Sequence, residues 1–168
     1  MTHTAQTVDT PDGPFTAVAA EDGAVIASGW TASVTEVLAR VRAAARPRDV
    51  HSGTLATMDA VHAFYAGDFA PAMGVPVELH GTDGQLTGWV RLRHIPAGEP
   101  LSYTEFAREL GSPRAVRAAA SVCARNPVAL FVPCHRVLRA DGSLGGFAWG
   151  EHVKRSLLDR ESGASAHP

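Results

Sequence analysis

Two Asp-Gly pairs, Asp12-Gly13 and Asp22-Gly23, stand between short apolar runs near the start of the chain, and they leave that stretch few choices. Glycine enters the left-handed backbone region without steric penalty and aspartate tolerates it, so such a pair favours a tight hairpin turn. The runs Thr7-Val8-Asp9, Phe15 to Ala19 and Ala24 to Ser28 therefore read as short strands. Ser33, with Glu36 three residues on, has the form of a capping box. The helix it opens carries Val34, Val37, Leu38 and Val41 on one face and stops at Pro47. A second helix is predicted from about Thr54 to Tyr65, with Leu55, Met58, Val61, His62 and Tyr65 inward and Gly67 at its end. On that stripe His62 reads as a core histidine rather than a ligand. Pro71 to Pro76 reads as a connector and Val77-Glu78-Leu79 as extended.

From Asp83 the pattern turns helical. One helix is expected from Asp83 to His94, ending before Pro96-Ala97-Gly98. Ser102 caps another, Tyr103 to Leu110, which Gly111 stops. Pro113 suits the first turn of a third, reaching about Ala124. Two short helices joined by Gly111-Ser112-Pro113 have helix-turn-helix spacing. The second has a small-residue face that fits either close approach to a groove or close packing on a neighbouring helix. A last helix starts near Gly150, and Ser162 to Pro168 reads as a frayed tail. The expected fold is α+β, with a small strand-and-helix subdomain over residues 1–80. It packs on a mostly helical subdomain, residues 81–168, that carries the helix-turn-helix and a candidate active-site cysteine.

Composition excludes several classes. Hydrophobic residues make up 45%, charged residues 19%, and mean hydropathy is -0.01, which rules out wholesale disorder and a fibrous chain. No apolar run approaches the roughly 20 residues of a membrane-spanning helix, and the polar start has no signal-peptide pattern. Two cysteines, Cys123 and Cys134, make no disulfide framework. A soluble, cytoplasmic protein without a membrane partner is expected. Net charge is -2, but residues 1–84 hold four cations against ten acids and residues 85–168 eleven against seven. Fourteen of the fifteen cations are arginine, whose planar fork holds phosphate. The second half is thus suited to a polyanion, although surface arginines are more often merely solvated.

Asn126-Pro127 ends the alanine-rich helix, and the apolar run Val128 to Val132 leads into Pro133-Cys134-His135-Arg136-Val137. A cysteine beside a histidine and an arginine is where the thiolate, the nucleophilic form, is favoured. No second cysteine stands at zinc-ligand spacing, so no metal is expected. A histidine acting as base needs a third group to orient it, and Glu161 is the candidate.

These residues resemble the O6-alkylguanine-DNA alkyltransferases, also called methylated-DNA–protein-cysteine methyltransferases. The resemblance covers nearly the whole chain. It rests on Ile95-Pro96, Ser102-Tyr103, Gly111-Ser112-Pro113, Arg117, Asn126-Pro127, Pro133-Cys134-His135-Arg136-Val137, Gly142, Gly145-Gly146-Phe147, Lys154, Leu157-Leu158 and Glu161, with Thr10-Pro11-Asp12-Gly13-Pro14 and Gly29-Trp30 upstream. It implies a monomer that binds double-stranded DNA with the helix-turn-helix, through the minor groove, and flips out an O6-alkylguanine. Arg117 would enter the stack, with Ala118, Ser112 and Ser121 also at the DNA. Cys134 would take the alkyl group, His135 its proton through a water, and Glu161 would polarise His135. Tyr103 would donate toward guanine N3, and Asn126 would hold the turn after the recognition helix. Val137, Phe147, Ala148 and Trp149 would form the base and alkyl pocket, with main-chain atoms of Cys134, Val137 and Ala148 reading the guanine edge. The alkyl group would stay on Cys134, and no cofactor is implied. DNA affinity is expected to be modest and salt-sensitive.

The chain departs from the family pattern at Gly84 (commonly aromatic), Gly88 (commonly Val), Ala120 (commonly Gly), Cys123 (commonly Asn) and Phe147 (frequently Tyr). Trp149 stands where members carry a small residue or a tryptophan. Three other functions compete. An alkyltransferase-like protein that marks lesions without transfer usually lacks the cysteine. A transcriptional regulator of the adaptive-response type would need a further metal-binding N-terminal domain. A cysteine hydrolase would turn over esters or peptides and ignore DNA. Arg136 reads as structural first, and Lys154 either as a partner near the active site or as a helix cap.

Overall fold

The computed structural model describes residues 2–166. The fold is α+β, in two compact units: Met1–Gly81 with Pro127–Phe131, and Thr82–Asn126 with Val132–Pro168. Among the described residues no helix is long and apolar enough to cross a membrane.

In the first unit, β1 (His3–Thr10), β2 (Gly13–Ala19) and β3 (Val25–Gly29) form an antiparallel meander turned at the two Asp-Gly pairs. Register is set by pairs such as Val8 with Phe15 and Val18 with Ala27. The first strand is longer than Thr7–Asp9, because Thr4 to Gln6, mostly polar, extend the ladder to β2 and His3 pairs with Val50, on backbone bonds that a hydropathy pattern does not register. Ser33 accepts from Glu36 N at 3.2 Å and opens α1 (Val34–Leu38). That helix is only five residues long, and a 3-10 turn, Ala43–Ala45, follows well before Pro47. An unforeseen β4 (Val50–Ser52) then pairs parallel to β1, giving the order β3-β2-β1-β4.

α2 (Thr57–Tyr65) buries Met58, Ala60, Val61 and Phe64. His62 is exposed, contrary to its reading as a core residue: Phe64 takes the inward position and turns the face away from it. The connector contains a one-turn helix, α3 (Ala70–Met73), with Pro71 in its first turn, where a missing N–H is harmless. β3's outer edge is covered twice. Val77 bridges Val25, and Val128 bridges Ser28, whose hydroxyl donates to Ala129 O at 2.9 Å. Covering an edge removes unpaired backbone groups, and it is why residues 127–131, assigned by sequence to the second part, group with the first. Phe15 packs edge-on against Trp30 and Phe131, with ring centres 5.1 and 5.9 Å apart.

The second unit opens on α4 (Asp83–Leu92), with a complete capping box between Thr82 and Gln85. β5 (Leu101–Ser102) leads into α5 (Tyr103–Glu109), capped reciprocally by Ser102 and Glu105. α5 ends in a Schellman motif: Ser112 N donates to Ala107 O at 3.0 Å and Gly111 N to Arg108 O at 2.8 Å. α6 (Val116–Ala124) starts later than expected, and Pro113 lies in the turn rather than in the helix's first turn. That Schellman closure spends Ser112 on α5, so the chain needs three more residues to turn. Trp89 Nε1 donates to Val122 O at 2.9 Å and pins α4 to α6. A methyl at Gly88 would come within 2.6 Å of Val122, so this crossing requires glycine. A 3-10 turn, Cys134–Arg136, runs into β6 (Val137–Leu138), which pairs parallel with β5. α7 (Glu151–Ala166) closes the unit. The expected frayed tail is helical through Ala166, while His167 and Pro168 lie outside the described residues.

Candidate active site

Three consecutive side chains on the 3-10 turn, Cys134, His135 and Arg136, are all buried, the thiol residue at 7% exposure and the other two at 1%. Pro133 precedes the turn, and Cys134 N donates to Val132 O at 2.9 Å. The Asn126 side chain, also buried, donates from Nδ2 to Val132 O at 2.7 Å. It fastens the segment just after α6 to the residue two before the turn.

His135 and Glu161, 26 positions apart, meet in the interior: Nε2 lies 2.9 Å from Oε2, with Glu161 1% exposed. Arg136 reaches the same carboxylate, donating from Nη2 at 2.6 Å and from Nε at 3.0 and 3.1 Å, and donates from Nη1 to Ile95 O at 2.7 Å. Arg136 is therefore internally paired. Burial alone would raise the Glu161 carboxyl, but the hydrogen bonds from His135 and Arg136 and the charge of Arg136 outweigh it and hold it below the usual range. Burial lowers His135 below its ordinary value, more than Glu161 raises it, so the ring is neutral at neutral pH. A carboxylate only accepts, so it keeps the ring proton on Nε2. That leaves Nδ1 as the nitrogen with a lone pair.

The β5–β6 ladder, Leu101 against Val137 and Ser102 against Leu138, sets Tyr103 beside the strand that leaves the cysteine turn. Tyr103 is half-buried. Burial, then the neighbouring Cys123 and Cys134, push its hydroxyl up to about 12 despite Arg139. Gly145, at φ +72°, lies against that hydroxyl, and a methyl there would come within 3.1 Å of it. Val137 is buried, Phe147 and Trp149 are half-buried, and Ala148 is exposed, the last three in the loop before α7.

On α6, Arg117, Ala118 and Ser121 are exposed, while Ser112 is half-buried in the preceding turn. Ser112, Ala118 and Ser121 line one open groove of about 520 Å³, with Thr82 to Gln85 at the start of α4 as its other wall. Arg117 is on the same helix but not in that lining. Nothing lies within 4 Å of where a Cβ at Gly84 would be, so the groove stays open there.

Two features go beyond the sequence reading: how deeply Lys154 lies, and the groove wall made by α4. Lys154 caps no helix end: it is fully buried in α7, and its ammonium donates to Val137 O at 2.8 Å. The first turn of α4 belongs to the groove. Among the described residues no cluster of three His, Cys, Asp or Glu side chains could hold a metal.

The chain is similar to known proteins. The model of the family described as 6-O-methylguanine DNA methyltransferase, DNA binding domain, matches residues 84–163. A methylated-DNA–protein-cysteine methyltransferase of Mycobacterium bovis is 37% identical over 156 residues, 93% of this chain and 90% of that protein. The chain belongs to the methylated-DNA–protein-cysteine methyltransferase family. The family fold extends over its whole length: a Mycobacterium tuberculosis OGT in complex with DNA has a TM-score of 0.79 at 30% identity, covering 98% of this chain and 94% of that one. The bifunctional transcriptional activator/DNA repair enzyme Ada of Escherichia coli is 49% identical over 88 residues. This methyltransferase-family chain spans only 25% of Ada's length in that match.

Proposed function

We propose that this chain repairs DNA by direct reversal, moving the alkyl group, mainly methyl, from O6-alkylguanine in a duplex irreversibly to its own Cys134. The observation that carries this reading is the buried His135–Glu161 pair directly after a buried cysteine, in a chain of this family. His135 takes the thiol proton on Nδ1, through a water, and Glu161 stabilises the charge that forms on the ring. The Cys134 sulfur attacks the alkyl carbon in line. As the S–C bond forms, the C–O6 bond breaks and its electron pair passes into the guanine. Tyr103, whose hydroxyl is protonated at neutral pH, donates toward guanine N3 and makes the base a better leaving group. A thioether has no leaving tendency, so each molecule reacts once and no cofactor enters.

DNA lies along the groove beside α6, in this reading, with Ser112, Ala118 and Ser121 at the backbone and Arg117 filling the gap left by the flipped guanine. Val137, Phe147, Ala148 and Trp149 wall the flipped base, and Asn126 holds the turn between the DNA helix and the nucleophile. The protein acts as a monomer in the cytoplasm. Intact and tryptic mass spectrometry after incubation with a duplex carrying one O6-methylguanine tests the reading. Trypsin separates Cys123 from Cys134 at Arg125, and one methyl on the peptide 126–136, absent in Cys134→Ala, is expected. Lesion-selective binding without transfer would instead make the chain a damage marker.

A further inference from the structure

Arg139 is the first residue after β6, and it leaves the β5–β6 ladder side by side with Tyr103, since the last pair in register is Ser102 with Leu138. Gly145 marks how near the two side chains come. The point where its Cβ would stand lies 3.1 Å from the Tyr103 hydroxyl and 3.6 Å from Cγ of Arg139. A closed turn fixes the Arg139 backbone: its N donates to Ser143 O at 3.0 Å, and Gly142 N, at φ +85°, donates to its O at 2.9 Å. Arg139 is exposed, and among the described residues it enters no ion pair. Asp141, the nearest acid in sequence, turns Oδ1 to Ser143 instead, accepting from N at 2.9 Å and from the hydroxyl at 2.6 Å.

A second cation stands on the same side. The Lys154 ammonium is 5.8 Å from the centre of the Tyr103 ring, and it too is paired with no carboxylate among the described residues. An exposed arginine beside a buried cation, with no carboxylate between them, is suited to an anion from outside the protein. The flipped nucleotide carries such anions in a defined place. O6 and N3 lie on opposite edges of guanine, and N3 is on the minor-groove edge, beside the sugar. With O6 at Cys134 and N3 at Tyr103, the exposed side chain next to the Tyr103 hydroxyl faces the sugar and its phosphates.

We propose that Arg139 grips a backbone phosphate next to the flipped nucleotide, a DNA contact apart from the α6 groove that sets how the base enters the site. This rests on the transferase reading and deepens it. Arg139 is not in the lining of the α6 groove. A guanidinium fork takes two phosphate oxygens at once, so it fixes orientation as well as supplying charge. The turn from Arg139 to Ser143 holds the base of that fork still before DNA arrives.

Arg139→Met keeps the stem beside Gly145 and removes the charge. The test compares a duplex carrying one O6-methylguanine with free O6-benzylguanine, which has no phosphate. The ratio of the duplex transfer rate to the free-base rate should fall about tenfold in the variant. The slope of log Kd for the duplex against log salt should become shallower by about 1. Neutral methylphosphonates, placed one at a time at the phosphates flanking the lesion, should reveal one position that weakens wild-type binding about tenfold and Arg139→Met binding hardly at all. An arginine that acts only on Tyr103 slows both substrates alike and ignores the methylphosphonates, and a merely solvated one moves neither the ratio nor the slope; either result overturns the proposal. Arg139→Gln takes the place of Arg139→Met should that variant not fold, and a wild type indifferent to every flanking methylphosphonate refutes the contact by itself. A wild type that transfers from neither substrate sinks the transferase reading, while the salt slope and the methylphosphonate binding still decide the phosphate contact.

Discussion

Glu161→Gln is the substitution that separates charge from shape at this site. The carboxylate accepts from His135 Nε2 at 2.9 Å and from Arg136 at 2.6, 3.0 and 3.1 Å, all in the interior. Glutamine keeps the volume and one acceptor but leaves the Arg136 guanidinium buried without a counter-charge. Breaking a buried pair on one side costs about 3–5 kcal/mol. Because one acceptor survives, a loss near the low end, about 3 kcal/mol, is expected, or roughly 6–12 °C in Tm for a chain of this size. The pH dependence carries the signature. Glu161 is held below its ordinary value of 4.5, so its contribution is fully present above that pH and is lost as pH falls through the lower folded value. His135 is also lowered from 6.5, so the unfolded chain binds its proton first and stability already declines below pH 6.5, in the variant too. Glu161 also raises His135, so the variant's ring is lowered further; the wild-type advantage over Glu161→Gln should therefore be constant above pH 6.5, should not fall between pH 6.5 and 4.5, and should shrink below 4.5 as Glu161 takes its proton. Glutamine can also donate to Nε2, which puts the ring proton on Nδ1 and blocks the base, so single-turnover methyl transfer should fall by at least about 10². Urea titrations at several pH values and rapid-quench transfer assays measure both. A stability loss under about 1 kcal/mol, or a wild-type advantage that does not narrow in acid, would refute the reasoning.

Arg136→Lys retains charge but not the fork. One ammonium cannot reach both Glu161 and Ile95 O as the guanidinium does, so a loss of about 2 kcal/mol in urea is expected with a far smaller rate effect than Glu161→Gln; equal rate losses would contradict the division of labour. Gly88→Ala should destabilise by about 1–3 kcal/mol through the 2.6 Å clash with Val122, and Gly88→Ala with Val122→Ala should recover most of it in thermal melts. Trp149→Gly should speed reaction with O6-benzylguanine by opening the alkyl pocket, and an unchanged or slower rate would show that this half-buried ring does not bound it.

Where local chemistry decides the structure, the residues could be read directly. Ser102 with Glu105 makes its capping box, Gly111 stops α5, and the Asp-Gly pairs turn β1 into β2 and β2 into β3. Each depends on groups a few positions apart. Errors arose where distant partners decide. His62 and Phe64 compete for one inward direction, and the core above α2 chose the ring. β4 is three residues with an unremarkable pattern, and only the edge of β1 makes it a strand. Val128 to Phe131 continues the chemistry segment in sequence but pairs with β3. At the site, the pairing of His135 with Glu161 could be named from a family pattern, whereas the depth of Lys154 could not. A lysine in the first turn of an amphipathic helix is usually solvent-facing, and only the carbonyls of Val137 and Gly146 make it internal.

The backbone of the pentapeptide explains how adjacent residues take different duties. In a strand, successive side chains point to opposite faces, and one carboxylate could not serve both His135 and Arg136. A 3-10 turn spreads three successive side chains around its axis, about a third of a turn apart. The long Arg136 can then curl back to the carboxylate that His135 meets directly, while Cys134 takes the remaining direction. Pro133 limits the chain before the turn, and Val137, β-branched and extended at φ -119° and ψ 126°, ends it. The return to extended geometry presents the Val137 carbonyl to Lys154 and pairs the strand with β5, which sets Tyr103. Proline before and valine after the Cys-His-Arg triplet thus have a mechanical reason: a longer turn would carry that carbonyl away from the lysine, and a shorter one would return Arg136 to the face opposite Glu161.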